Sequence, residues 1–133
     1  MNQPFAAVVL DSEGLSAWVR GDRSMLARLR LYNDMDAELV VCANTIVEVS
    51  HSKTNMPQLQ WVLSRTRVEP VTKAGAHAAA ALLKQAGLHG HKYAIDATVA
   101  ELALRQPTPV AIITSDHDDM TKLCGDRVRI VAV

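Results

Sequence analysis

The chain is poor in the residues that mark several large classes of protein. Aromatic residues make up only 4% of its 133 positions, too few for a surface that binds nucleic acid mainly by stacking. Its two cysteines, Cys42 and Cys124, show no CxxC spacing, which fits a reducing cytoplasm. The formal net charge is zero, so any contact with nucleic acid requires a local basic patch.

Long apolar runs and targeting signals are also missing. No run approaches the roughly 20 residues of a membrane span, and the first residues, "MNQPFAAVVLD", lack the basic start and apolar run of a signal peptide. We therefore expect a cytoplasmic protein with no membrane partner. Hydrophobic residues make up 49% of the chain, which is enough for one sizeable core and predicts a single domain over residues 1–133.

Short apolar segments predict five strands, over residues 6–10, 38–43, 67–71, 110–115 and 128–133. The first, "AAVVL", shows no alternation of apolar and polar residues, which is typical of a strand buried on both faces. Pro70 makes the third segment a weak, short strand that suits the edge of a sheet.

Helical patterns fill the intervals, over residues 12–20, 22–32, 45–52, 56–66, 72–87, 94–106 and 117–125. The predicted N-caps are Ser12, Asp22, Asn44 and Thr72. Gly87 ends the alanine-rich helix, and "LHGHKY" (88–93) is predicted as a loop. Alternating strands and helices predict an α/β sandwich with a mostly parallel sheet of four to five strands, because parallel neighbours need helical crossovers.

Four carboxylates occupy positions that such a sheet brings together. Asp11 and Asp116 follow predicted strands, and the ligand crevice of a parallel α/β sheet lies beyond the carboxyl ends of its strands. Asp96 lies in the first turn of its predicted helix, and Glu48 interrupts an otherwise apolar helical segment. Glu101 lies about 140° around the helix from Asp96, so we do not expect it in the same site.

The crowding of these acids predicts a metal site. Negative charge where a strand ends is costly unless a cation neutralises it, and several oxygen ligands suit Mg²⁺ or Mn²⁺ rather than zinc. Each acid alone has an ordinary explanation as a helix cap, a turn residue or part of a solvated face. Together they predict at least one raised pKa and metal binding that strengthens as the pH rises toward neutrality.

These residues resemble those of the PIN-domain ribonucleases, and within them the VapC-type toxins of toxin-antitoxin modules. The resemblance lies in "VVLDSEGLSAW", "NTIVEV", "HKYAIDATVAELAL" and "IITSDHDDM", which follow one another in that order over nearly the whole chain. No single motif is specific, but the ordered set is. It implies a PIN-like three-layer sandwich.

The resemblance also implies an activity. Such a protein is a metal-dependent endoribonuclease that hydrolyses RNA phosphodiester bonds and inhibits translation; it is restrained by a cognate antitoxin and forms a homodimer. Matched residue by residue, its metal-site acids are Asp11, Glu48, Asp96, Asp116 and, as the supporting acid, Asp118.

Roles within this site follow from the same resemblance and from general chemistry. Asp11, Asp96 and Asp116 are expected to contact metal directly or through water, and Glu48 to hold a second metal or to orient and deprotonate the attacking water. Asp119 competes with Asp118 for the supporting role. The hydroxyl of Ser115 or Thr114 is expected to assist.

Basic residues offer two surfaces for RNA. His91 and Lys92 precede Asp96 and, with Ser115, are candidates for RNA contacts; a solvated surface loop is the alternative. The arginines of "RGDRSMLARLRL", at positions 20, 23, 28 and 30, form either a strip that contacts the RNA backbone or a solvated helix face.

Several apolar residues of the predicted helices belong either to the core or to a groove that binds an antitoxin helix. They are Met25, Leu26, Leu29, Val62 and Leu63. Trp18 and Trp61 are both expected in the core.

Three other functions remain open. "DSEG" is similar to the start of haloacid dehalogenase-like phosphotransferases, in which Asp11 would be a nucleophile, although Lys92 is a poor substitute for the lysine that such enzymes need. A PIN-like module that binds RNA or protein without cleaving it is the second alternative. An interaction protein whose acids are merely solvated is the third.

Overall fold

The sheet contains five parallel strands. The structure, a computed structural model, describes residues 4–133. The strands are β1 (Ala7–Leu10), β2 (Glu38–Cys42), β3 (Arg67–Glu69), β4 (Val110–Thr114) and β5 (Arg129–Ala132). Their order is β3, β2, β1, β4, β5, and every neighbouring pair is parallel. The predicted α/β class is confirmed, and β3 is the short edge strand that Pro70 indicated.

Seven helices in the described residues connect and cover these strands. They are α1 (Ser12–Val19), α2 (Arg23–Asp34), α3 (Ala43–Val49), α4 (Met56–Ser64), α5 (Lys73–Ala86), α6 (Gly90–Leu104) and α7 (His117–Cys124). None of the helices within residues 4–133 combines the length and the apolar character that a membrane crossing requires.

The sheet is buried on both faces, which explains why its central strands show no alternating pattern. Val8 and Leu10 of β1 pack into a core with α1, α2 and α4. Ala7 and Val9 of the same strand pack into a second core with α5, α6 and α7. Because both sets of β1 side chains leave water, an apolar residue is favoured at every position of the strand.

Strand register brings the carboxyl ends of the central strands level with one another. Leu10, the last residue of β1, pairs with Val41 of β2 on one side and with Ile113 of β4 on the other. The residues that follow Leu10 and Ile113 therefore emerge side by side at one edge of the sheet. Gly14 of α1 lies close to β4 there, since a Cβ at this position would stand 3.2 Å from Ile113 Cγ2.

The predicted helix ends were partly right. Asp22 and Thr72 cap α2 and α5 by accepting N–H bonds from Met25 and Gly75, and Gly87 ends α5 in the left-handed conformation (φ 68°) that glycine adopts without strain.

Two predicted caps were wrong. Asp11, not Ser12, is the N-cap of α1, because its carboxylate accepts the Ser12 N–H. Asn44 does not cap α3, which already begins at Ala43. The Asn44 amide donates instead to Thr98 Oγ1 of α6, at 3.3 Å.

The predicted loop at residues 88–93 is also wrong. Helix α6 begins at Gly90, and the Tyr93 N–H donates to the His89 carbonyl as in a helical turn. Gly90 masked this turn in the sequence because glycine is a poor helix former. Tyr93 itself has non-helical backbone angles (φ −113°, ψ 16°), so the first turn is kinked against the rest of α6.

The two tryptophans have different environments. Trp18 is buried as predicted, but Trp61 is 48% exposed, so its assignment to the core was wrong. Trp61 rests edge-on against Trp18 with ring centroids 6.5 Å apart, and the Arg65 guanidinium lies over its outer face.

The apolar residues left undecided by the sequence also separate. Met25, Leu29 and Val62 belong to the core, whereas Leu26 is 39% exposed.

Candidate functional site

Asp11 is the buried centre of the acidic site. It directly follows β1, its N–H donates to the Ile113 carbonyl of β4 at 3.0 Å, and it is 2% exposed. One carboxylate oxygen accepts the Ser12 N–H at 2.8 Å, and the other accepts the Thr114 hydroxyl at 2.7 Å. Both oxygens are therefore held in place before any ligand binds.

Asp96 and Asp116 converge on Asp11 from two other elements. Asp96 lies one turn beyond the Tyr93 kink in α6, and Asp116 lies between β4 and α7. The three residues can each place a carboxylate oxygen so that all lie within 4.8 Å of one another. Residues separated by up to 105 positions in the sequence thus meet at the edge of the sheet where the strand ends predicted a site.

Thr114 ties two of these acids together. Its hydroxyl donates to Asp11 and accepts the backbone N–H of Asp116, at 2.9 Å. The residue is fully buried at the end of β4. The sequence named Thr114 only as one of two hydroxyl helpers, because its position in the site depends on the register of β4 against β1.

Glu48 lies beside this cluster and outside its innermost group. The residue is exposed on α3, but its carboxyl group is partly buried. This partial burial, followed by the charges of Asp11 and Asp116, raises the pKa of the carboxyl group. The bond from Asn44 to Thr98 joins α3 to α6 close to Asp96, and so fixes the helix that carries Glu48.

The electrostatic cost of the cluster is clearest at Asp96. Partial burial, together with the charges of Asp11, Asp116, Glu48 and Asp119, raises its pKa from 3.8 to about 7. Burial also raises the pKa of Asp11, against the opposing effect of its hydrogen bonds from Thr114 and Ser12. The predicted rise in at least one pKa is confirmed.

The two neighbouring acids of α7, Asp118 and Asp119, have different environments. The Asp118 side chain is 97% exposed and lies 3.6 Å from the His117 imidazole. Asp119 is less exposed, and its charge contributes to the raised pKa of Asp96. Of the two acids, Asp119 is therefore the one whose charge acts on the cluster. Ser115 is exposed beside Asp116 in a shallow depression of about 310 Å³.

The remaining predicted residues lie around the cluster. His91 and Lys92 are exposed in the first turn of α6, and the Lys92 ammonium lies 5.2 Å from the Tyr93 ring centroid. Glu101 bonds to Arg105 one helical turn away. It is not one of the three converging acids.

The donor chemistry of the cluster fits a hard divalent cation. All three converging groups are carboxylates, with no histidine or cysteine among them, and oxygen ligands of this kind suit Mg²⁺ or Mn²⁺. A cation there would offset the burial and the mutual repulsion of these carboxylates, which raise the pKa values of Asp11 and Asp96. The three carboxylates therefore fit a divalent metal ion.

The fold and the site define a class: a three-layer α/β/α protein with an acidic, cation-compatible site at the carboxyl ends of a parallel sheet. The chain belongs to the PIN domain family, whose model matches residues 8–125. No curated protein matches the sequence closely.

A solved structure has the same fold. It is described as the crystal structure of VapBC2 from Rickettsia felis bound to a DNA fragment from their promoter. The TM-score is 0.72 with 15% sequence identity, and the match covers 96% of this chain and 98% of that chain. The predicted PIN-like architecture is confirmed.

The raised pKa of Asp96 predicts an unusual pH dependence of stability. Between its ordinary pKa of 3.8 and its folded value of about 7, the folded chain retains a proton that the unfolded chain releases. The free energy of unfolding should therefore fall as the pH rises through this window. Asp96→Asn should flatten the fall and melt at a higher temperature than the wild type at pH 7.5 in EDTA.

Thermal melting from pH 4 to 8 measures this effect. Asp126→Asn makes the same chemical change at an exposed position outside the cluster, and should leave the wild-type profile unchanged. Equal profiles for wild type and Asp96→Asn would contradict the assigned pKa.

Proposed function

We propose that the protein is a Mg²⁺- or Mn²⁺-dependent endoribonuclease that hydrolyses RNA phosphodiester bonds and acts as the toxin of a toxin-antitoxin pair, inhibiting translation. The observation that carries the proposal is the convergence of Asp11, Asp96 and Asp116, whose carboxylate oxygens can lie within 4.8 Å of one another. Membership of the PIN domain family supports it.

The acids divide the work of the proposed reaction. Asp11, Asp96 and Asp116 would hold the metal, with Asp119 or Asp118 in support. When bound, a divalent ion lowers the pKa of water and offsets charge on a phosphate. Asp11 presents its oxygens in fixed directions because Ser12 and Thr114 hold them. Such preorganisation avoids reorganisation during the reaction.

Glu48 is the proposed general base or the ligand of a second ion. Its exposure at the rim leaves it accessible to water and substrate. Because partial burial and, after it, the charges of Asp11 and Asp116 raise the pKa of its carboxyl group, its carboxylate is a better proton acceptor than an ordinary glutamate.

RNA would approach over the exposed side chains that surround the acids. Ser115, His91 and Lys92 are the proposed contacts. A lysine and a histidine next to four carboxylates would bring the phosphate backbone toward an otherwise negative site.

The proposed partners are an antitoxin and a second copy of the chain, in the cytoplasm. The sequence resemblance to VapC-type toxins supports this, as does the similarity in fold to a structure described as VapBC2 bound to promoter DNA. Exposed apolar side chains on α2, α3 and α4 are available for such contacts, namely Leu26, Val47, Met56 and Trp61.

RNA cleavage by the purified wild-type chain tests the proposal. Single-stranded and structured RNAs should be cut internally in Mn²⁺ or Mg²⁺, and cutting should stop in EDTA and return when the ion is restored. Binding without cleavage in either ion would favour the non-catalytic module. Membership of the PIN family removes support for the phosphotransferase, which predicts a phosphorylated Asp11.

A further inference from the structure

A groove with several polar side chains lies between α1 and the segment that joins α3 to α4. Its volume is about 420 Å³. Its polar lining consists of Ser16, Arg20, His51, Lys53, Thr54 and Asn55, and two valines complete it. Six of the eight lining residues carry a polar or charged group, so the lining can hold a polar or charged ligand.

The groove adjoins the acids through two elements. Helix α1 begins directly after Asp11, and Ser16 and Val19 of this helix line the groove. On the other side, Val49 of the groove directly follows Glu48. Because α1 and α3 pack against each other, one pair of helices connects the groove to Asp11 and Glu48.

Hydrogen bonds fix the loop that supplies half of the groove. The Thr54 hydroxyl donates to the Val49 carbonyl at 2.6 Å and accepts the His51 N–H at 3.0 Å. Asn55 then caps α4 by accepting the Gln58 N–H. The exposed side chains of His51 and Lys53 therefore project from an ordered turn.

The groove concentrates positive charge in a chain whose net charge is zero. Within residues 4–133, no carboxylate lies at ion-pair distance from Lys53. Arg20 lies 3.4 Å from Glu13 in an exposed pair, which contributes little and is easily exchanged for another anion.

His51 adds a directed hydrogen-bond donor. Its Nδ1 accepts the Lys53 N–H at 3.2 Å, so in the neutral ring the proton is on Nε2. Nε2 is then available to donate to an anion in the groove.

We infer that this groove binds the phosphate backbone of the RNA substrate beside the scissile bond, through Arg20, His51 and Lys53. The inference rests on the proposed function, because it assigns the direction in which the bound RNA extends from the acidic site. Contacts to phosphate carry no sequence information, so the groove sets affinity and register along the RNA rather than base preference.

A double variant that removes two positive charges from the groove, Arg20→Gln with Lys53→Gln, tests the inference. Binding of a short fluorescein-labelled single-stranded RNA of mixed sequence is followed by anisotropy in EDTA at several salt concentrations. The affinity should fall about tenfold, and the slope of log affinity against log salt should decrease by about 1.4, since each phosphate contact on a single strand contributes about 0.7. The control, Lys73→Gln with Lys84→Gln, removes two exposed lysines of α5, in the opposite helical layer.

The outcomes separate the groove from the function on which it depends. Weaker RNA binding in the groove variant, with wild-type stabilisation by Mn²⁺ and no change in the control, supports the inference. If the groove variant binds RNA with the affinity and the salt dependence of the wild type, the inference is overturned. In that case RNA cleavage by the unmodified chain still supports the proposed function. An equal loss of RNA affinity in the groove variant and in the control variant also overturns the inference. If the groove variant loses binding of poly-glutamate but keeps binding of RNA, the groove binds an acidic protein and the inference is again overturned. Failure of the unmodified chain to bind or cut RNA overturns both.

Discussion

Asp11→Asn and Asp96→Asn should each reduce RNA cleavage by on the order of 10²- to 10³-fold, which is the usual loss when one preorganised charge-stabilising group is removed. Asparagine keeps the shape of aspartate but removes its charge and one oxygen ligand. Because the other acids of the cluster remain, residual binding of RNA should persist. The measurement is the single-turnover rate of cleavage in Mn²⁺.

Stability separates a lost function from a lost fold. In EDTA, Asp96→Asn should melt at or above the wild-type temperature, because it removes a charge whose partial burial and repulsion by the other acids raise the pKa of this group to about 7. Asp126→Asn, outside the cluster, should cleave RNA at the wild-type rate. Full activity in both Asp11→Asn and Asp96→Asn would exclude the acidic cluster as the site of cleavage.

Divalent ions should stabilise the folded chain. Binding to the native state alone raises the free energy of unfolding by about 2.7 kcal/mol when the ion is present at 100 times its dissociation constant. Wild-type protein should therefore melt at a higher temperature in millimolar Mn²⁺ or Mg²⁺ than in EDTA. Asp116→Asn should lose most of this rise.

The pH provides a second readout of the same site. Since Asp96 must lose its proton before it can bind a cation, stabilisation by Mn²⁺ should be smaller at pH 5.5 than at pH 7.5. Asp118→Asn and Asp119→Asn form a matched pair, and the larger loss is expected for Asp119, whose charge contributes to the raised pKa of Asp96. A rise of equal size in Asp116→Asn and wild type would show that the ion binds elsewhere.

The sequence predicted the architecture well because the rules that determine it are local. Apolar runs without alternation predicted strands buried on both faces, and β1 does contribute Val8 and Val9 to opposite cores. A parallel sheet then dictates where its ligands lie, so Asp11 and Asp116 were placed together without any knowledge of their contacts.

The sequence predicted less where a residue's role depends on a partner far along the chain. Asn44 resembles a cap, but its amide reaches Thr98, 54 positions away. Trp61 has a large apolar side chain of the kind expected in a core, but it lies at the surface, because the buried residues of α4 are Leu59 and Val62. The choice between Asp118 and Asp119 depends on the rotation of α7, which spacing alone does not define.

The position of β4 in the sheet determines when the acidic cluster can form during synthesis of the chain. β4 is the fourth strand in the sequence but lies beside the first, and it brings Thr114 and Asp116 to Asp11. A nascent chain that ends before β4 contains two of the three converging acids, Asp11 and Asp96, and no strand on that side of β1. The acidic cluster therefore forms only after the last part of the chain has been synthesised.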